Sequence, residues 1–139
     1  MILLDTNVIS ELMKPEPDAA VARWLAAQPA SALHVSAVTL AEIFYGIRLL
    51  PAGKRRNALQ DAAQATFDEE FAGRVLSFGA QAARHYAAIA SDRRRAGRPI
   101  SSFDAQIAAI AQAAGAQLAT RNGPDYEGCG LRLINPWAG

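Results

Sequence analysis

Short apolar runs alternate with helix-forming stretches along the whole chain, and that alternation limits the fold more than any other feature. Ile2-Leu3-Leu4, Leu33-His34-Val35, Arg74 to Phe78 and Gln117 to Thr120 read as strands, and Leu131 to Ile134 adds a last edge strand. Each run is short, rich in apolar residues and bounded by turn or cap residues. Helical patterns fill the intervals: 7–13, a stretch from Ala19 that Pro29 stops, 37–50, 54–70, 79–96 and 102–114. Such alternation favours a parallel sheet covered by helices on both faces. With 139 residues, the expectation is one α/β domain over 1–139, its short, mostly parallel sheet having four to five strands.

The punctuation agrees with that division. Pro15 and Pro17 end the first helix, because proline lacks the N–H that a helix interior needs. Thr6 or Asn7 can cap that helix, Asp18 the second and Ser36 the third. Ser101 and Asp104 fit the Ser-x-x-Asp capping pattern, and Gly115 closes the helix they open. On the helix over 37–50, Val38, Leu40, Ala41, Ile43, Phe44 and Ile47 form the apolar side. Thr39, Glu42 and Gly46, spaced three and four apart, share the opposite stripe. The stretch 54–70 starts with Lys54-Arg55-Arg56 and ends with Asp68-Glu69-Glu70, the reverse of what the macrodipole favours.

Composition removes several classes of function. The formal net charge is +1, so no global field gathers polyanions, and any such partner must use local patches. Cys129 is the only cysteine, which fits a reducing compartment and excludes an intrachain disulfide. No basic leader with an apolar core stands at the N-terminus, and no run reaches the ~20 apolar residues of a spanning helix. A cytoplasmic, non-membrane protein is the expectation. His34 and His85 stand alone, which argues against a zinc cluster, and no Gly-x-x-x-x-Gly-Lys phosphate loop is present. Cys129 has no evident histidine partner. Trp24, Tyr45, Tyr86 and Trp137 read as packing residues rather than base-stacking platforms.

The acids are the candidates for chemistry. Asp5 follows the first strand, Glu42 sits on the helix after the second, Asp104 opens the helix before the fourth, and Asp125 lies in the loop beyond it. Each has an ordinary structural explanation as a cap, turn or solvated-face residue. In a parallel sheet, though, groups that follow strands converge on one edge, and open α/β sheets bind ligands there. Clustered carboxylates repel unless a cation neutralises them. Mg²⁺ and Mn²⁺, hard ions that take carboxylate oxygens and water, suit such a site. An ion so held activates water and polarises a phosphoryl oxygen.

The chain resembles the PIN-domain ribonucleases, specifically the toxins of VapBC-type toxin–antitoxin pairs in the FitB-like branch. The resemblance rests on Leu3-Leu4-Asp5-Thr6-Asn7-Val8-Ile9-Ser10-Glu11, Ser36-Ala37-Val38-Thr39-Leu40-Ala41-Glu42-Ile43, Asp104 to Ala109, Ala119-Thr120-Arg121-Asn122 and Asn135-Pro136-Trp137, in family order. It implies a PIN-like α/β/α fold and an Mg²⁺- or Mn²⁺-dependent endoribonuclease that hydrolyses RNA with a metal-activated water. It also implies a small antitoxin partner with a DNA-binding domain, a homodimer, and metal-binding acids at Asp5, Glu42 and Asp104. The family often carries a fourth acid two residues after the threonine; here that position is Asn122, a neutral oxygen donor, and Asp125 can supply the charge instead. Thr6, Asn7 and Thr120 are candidates to orient substrate or water. Arg93, Arg94, Arg95, Arg98 and Arg121 are candidates to hold the RNA backbone. The alternative is a weakly active or inactive PIN-fold binding module working through antitoxin and operator-DNA complexes. A phosphatase with Asp5 as nucleophile would want a second aspartate at position 7, where this chain has Asn7.

Overall fold

In a computed structural model, which describes residues 1–138, the chain forms one sheet with helices on both faces. Gly139, the last residue of the expected domain, lies outside the described residues. The elements in order are β1 (Ile2–Leu4), α1 (Thr6–Leu12), α2 (Ala19–Ala26), β2 (Leu33–Ser36), α3 (Ala37–Arg48), α4 (Lys54–Ala65), β3 (Val75–Leu76), α5 (Ala80–Arg95), α6 (Ser102–Ala114), β4 (Gln117–Ala119) and β5 (Leu133–Ile134). The sheet order is β3-β2-β1-β4-β5, and every pairing is parallel. The expected alternation is therefore present, with five strands among the described residues. β3, β4 and β5 are shorter than the runs that announced them, β1 matches its run and β2 extends one residue further, to Ser36.

The central strand explains the layering. Side chains on a strand alternate between faces. Leu3 enters the cluster of Ile89, Ile107, Ile110 and Leu118 under α5 and α6. Ile2 and Leu4 enter the opposite cluster with Val8, Ile9, Val21, Val35 and Ile47. Leu118 and Ala119 of β4 divide the same way. Three apolar residues in β1 thus anchor both faces, which is why no polar residue interrupts them.

Two local expectations need correction. The stretch read as one helix over 54–70 splits, with α4 ending at Ala65 and a π turn over Thr66–Glu70. Ala63, Phe67 and Phe71 are all buried and four residues apart, a spacing that drifts round a regular α-helix and stays aligned in a wider turn. Thr66 adds a side-chain bond to the Ala62 carbonyl at 2.9 Å, a contact that bends helices. The cap of α1 is also shifted: Asp5 is the N-cap, its Oδ1 accepting from the Thr6 N–H at 2.8 Å, rather than Thr6 or Asn7. Asp18, Ser36 and Ser101 cap α2, α3 and α6 as expected.

Candidate active site

The strand order reverses direction between β1 and β4: β2 and β3 lie to one side of β1, β4 and β5 to the other. A crevice opens outside the carboxyl ends of the strands at such a switch point. Asp5 ends β1 there, and its N–H donates to the Ala119 carbonyl of β4 at 2.9 Å. Thr120, the residue after β4, donates its hydroxyl to Asp5 Oδ2 at 2.8 Å. A cleft of about 430 Å³ forms at this edge, lined among others by Asp5, Glu42 and Asp104. The three acids predicted from far-apart stretches do share one cavity.

Each acid is aimed by its own element. Asp5 is only 5% exposed. Its cap bond to Thr6, the Thr120 hydroxyl and the Asn7 amide at 3.4 Å hold the carboxylate from several sides. Asn7 is itself fixed: its Nδ2 lies 3.3 Å from Thr120 Oγ1, and its Oδ1 accepts from the Arg121 N–H at 3.2 Å. Glu42 stands on α3, where Thr6 donates to its Oε1 at 2.8 Å. Thr39, one turn earlier, is fully buried and bonds Thr6 Oγ1 at 2.9 Å. The polar stripe of α3 therefore faces α1 and the cleft instead of solvent. Asp104 keeps half of the capping pattern: its N–H donates to Ser101 Oγ at 3.2 Å. Its carboxylate turns inward instead, accepting from the Tyr126 hydroxyl at 3.1 Å.

The acids act on one another. Burial raises the Asp5 carboxyl above its ordinary range, against the lowering pull of the bonds from Thr120, Thr6 and Tyr126, and the Asp104 charge adds to the rise. Glu42 is raised by burial, relieved in part by Thr6, and raised further by the charges of Asp5 and Asp104. Burial and the same two aspartates push the Tyr126 phenol upward, so it remains an O–H donor. Like charges gathered at a half-buried cleft call for a cation.

The donor set fits a hard divalent ion. Among the described residues, no three His, Cys, Asp or Glu side chains crowd closely enough to ligate an ion by themselves. Mg²⁺-type ions, however, keep several waters and take one or two carboxylates directly. An open cleft with acids on several walls matches that habit better than a closed cage would.

The remaining candidates divide. Asn122, Arg121, Thr6 and Asn7 line the cleft. Thr120 is buried behind it and works through Asp5. Asp125 is solvent-exposed on the 3-10 turn Gly123–Tyr126 and does not line the cleft. The five candidate arginines are placed differently. Arg93 is 8% exposed. Its guanidinium donates inward to the carbonyls of Arg98, Asp125 and Glu127 at 2.7, 2.8 and 2.9 Å, which commits Nε and Nη1 to the fold. Arg98 pairs with Glu127 at 2.7 Å, and Arg95 lies 3.6 Å from Asp92. Arg94 is exposed, and neither it nor the other two lines the cleft. Only Arg121 reaches the cleft, stacked over Trp137 at 5.1 Å.

Sequence reading missed several groups. Trp137 packs against the core as expected and also stands at the cleft rim. Tyr45, also taken as packing, is 66% exposed. Ser10, Glu11 and Lys14 line the cleft. The Glu11–Lys14 spacing of three marked a helical pair, and they meet at 3.0 Å. Glu11 also accepts the Asp18 N–H at 3.0 Å, and these two bonds hold its carboxyl below the ordinary range. Tyr126 sent no signal of its own, since nothing in the sequence shows which acid a loop tyrosine will meet.

A crevice at the switch point of a parallel sheet is where open α/β folds bind their ligands, and here it is lined by acids. The chain belongs to the PIN-domain family, which it matches over residues 2–125. It is 46% identical over 137 residues to the VapC ribonuclease Y4jK of Sinorhizobium fredii, covering 99% of this chain and 98% of that one. It is 38% identical to the toxin FitB of Neisseria gonorrhoeae, covering 99% of both. Its structure superposes with a TM-score of 0.92 on the crystal structure of FitAcB from Neisseria gonorrhoeae, at 38% identity and 99% of each chain. FitAB bound to an IR36 DNA fragment gives 0.91 at 38% identity, with 99% of this chain and 96% of that one covered.

Proposed function

We propose that this protein is an Mg²⁺- or Mn²⁺-dependent endoribonuclease and the toxin of a type II toxin–antitoxin pair. The observation that carries the reading is the meeting of Asp5, Glu42 and Asp104, from three separate elements, on one cleft. The relatives' names, VapC ribonuclease and toxin FitB, support the reaction class and the biological role.

The residues would divide the work as follows. Asp5, Glu42 and Asp104 would hold the cation, with the Asn122 amide oxygen as a weaker neutral donor. The bound cation supplies Lewis-acid polarisation of a phosphoryl oxygen and acidification of water. Thr120 and Thr6 keep Asp5 and Glu42 in fixed orientations, and such support is what positions reacting groups. Arg121, braced on Trp137, reaches the phosphate backbone. Asp125 belongs to the loop rather than to the ion's donor set.

An apolar groove of about 460 Å³ continues from the cleft between Met13, Pro15, Ile43, Ile47 and Leu59. Its apolar floor suits the apolar face of an antitoxin segment, and FitA–FitB and VapB–VapC complexes on DNA support a partner with a DNA-binding domain. Exposed Tyr45, Leu49 and Phe103 support a homodimer. No helix among the described residues is long and apolar enough to cross a membrane.

Purified protein incubated with structured RNA tests the reading. Cleavage with Mn²⁺ that stops with EDTA is the expected result. Equal cleavage in both would refute metal dependence. No cleavage in either, while cells are still poisoned, would favour the binding-module alternative.

A further inference from the structure

The loop that follows β4 carries an assembly whose purpose the acids alone do not explain. Tyr126 is 2% exposed, and its phenol is driven between carboxylates. It donates to Asp104 Oδ1 at 3.1 Å and bears on Asp5 as well. A phenol shorter by its oxygen would satisfy the apolar cluster around Ile107 and Leu118 equally well. The hydroxyl is thus the only part of this side chain that packing does not require.

The loop is held by an unusual brace. The buried Arg93 guanidinium gathers the carbonyls of Asp125 and Glu127, the two residues flanking Tyr126. It also touches the Cys129 thiol at 3.6 Å. Gln112 of α6 bonds the Cys129 carbonyl, and His85 of α5 holds the Gln112 side-chain oxygen at 2.8 Å. The backbone on both sides of Tyr126 is fixed from α5 and α6, so the phenol has no freedom to leave Asp104. Asn122, four residues earlier, supplies only a neutral oxygen to the cleft.

We propose that Tyr126 is a positioning residue of the acid site, its hydroxyl fixing the Asp104 carboxylate beside Asp5 so that both present oxygens to a divalent cation. The neutral donor adds no charge to the site; what it supplies is a fixed orientation of the carboxylate. It occupies one lone pair of Asp104 Oδ1 and leaves the other oxygen free. Partners of this kind behind metal ligands typically govern affinity by about 10–100-fold. The inference rests on the metal-dependent reading above.

Mn²⁺ binding to the purified full chain, measured by calorimetry and by electron paramagnetic resonance, tests it without reference to turnover. Y126F removes one oxygen and keeps the ring, so circular dichroism and a cooperative melt should match the parent. The expected result is Mn²⁺ affinity weakened about tenfold or more. Cleavage should lose kcat with KM for RNA changed less than about twofold, since no substrate contact is removed. The effect should vanish in a D104N background, because the hydroxyl acts through that carboxylate. Equal Mn²⁺ affinity in Y126F and parent would overturn the proposal while leaving the nuclease reading standing. An undiminished Y126F effect in D104N would also overturn it. A parent that binds no Mn²⁺ would sink both.

Discussion

Two buried charges sit at opposite ends of the Tyr126 loop, and they are treated alike up to a point. Among the described residues Arg93 is a cation with no carboxylate partner, bonded to three backbone carbonyls and a thiol. Asp5, among the same residues, is an anion with no cationic partner, bonded to a backbone N–H, a hydroxyl and an amide. In both, neutral dipoles replace the water lost on burial, as a buried charge requires. The difference lies in what surrounds them. Arg93 is buried beneath the loop and away from the cleft. Asp5 opens on a cleft and feels a second and third carboxylate. A buried charge bonded to the fold is architecture, whereas like charges gathered with lone pairs to spare await a ligand.

The comparison breaks most sharply at Asp5. Asp5→Asn keeps the cap oxygen for the Thr6 N–H and removes the charge. Activity should fall about 10²–10³-fold or more, yet the metal-free protein should melt at the same or a higher temperature. Burial holds the Asp5 carboxyl above its ordinary 3.8, so the folded state binds its proton more tightly than the unfolded state. The contribution of this group to stability is therefore fully present below that ordinary value. It is lost as pH rises through the folded-state pKa. The melting gain of the asparagine variant should be largest at neutral pH and fade as pH approaches 4. Thermal melts across that range check the sign; a variant that melts lower than the parent at neutral pH would contradict it.

Arg93 should behave in the opposite way. Arg93→Met removes the donor and strands the carbonyls of Arg98, Asp125 and Glu127. A cost of about 3 kcal/mol is expected, since each stranded buried acceptor loses about 1–3 kcal/mol before water or relaxation recovers part of it. Urea unfolding measures this. A loss below about 0.5 kcal/mol would mean that the guanidinium is no brace, since exposed positions show changes of that size.

How much of this was legible in the sequence follows from the same contrast. Strand and helix positions were readable because β1, β2, β4 and α6 carry apolar periodicities that only one arrangement buries. Asp5 was readable because it ends a strand of a parallel sheet, and Glu42 because its helix follows one; Asp104, in the first turn of a helix that precedes a strand, needed the family resemblance as well. Arg93 was misread because a run of arginines before Gly97 and Pro99 looks the same whether it ends a helix in solvent or folds one guanidinium beneath a loop thirty residues later. The choice depends on Asp125 and Glu127 offering carbonyls, and backbone direction in an irregular loop leaves no periodicity. Asp125 was misplaced for the same reason. The 3-10 turn points Tyr126 inward and its neighbour out.

The arginines that remain give the smallest and most discriminating effect. Arg121 lies on the cleft and is steadied by Trp137, whereas Arg98 is an exposed ion pair with Glu127 outside it. In EDTA, where RNA binds without being cut, Arg121→Ala should weaken binding about threefold to tenfold. It should also lower the salt slope by about 0.7, the share of one phosphate contact on a single strand. Arg98→Ala should change neither the affinity nor the slope, and its stability cost should stay within about 1 kcal/mol, as for exposed pairs. Fluorescence anisotropy at several salt concentrations separates the two. Equal slopes for the variants would mean that the backbone is held elsewhere than at the Arg121–Trp137 rim, because a cation that touches a phosphate cannot be removed without releasing fewer counterions.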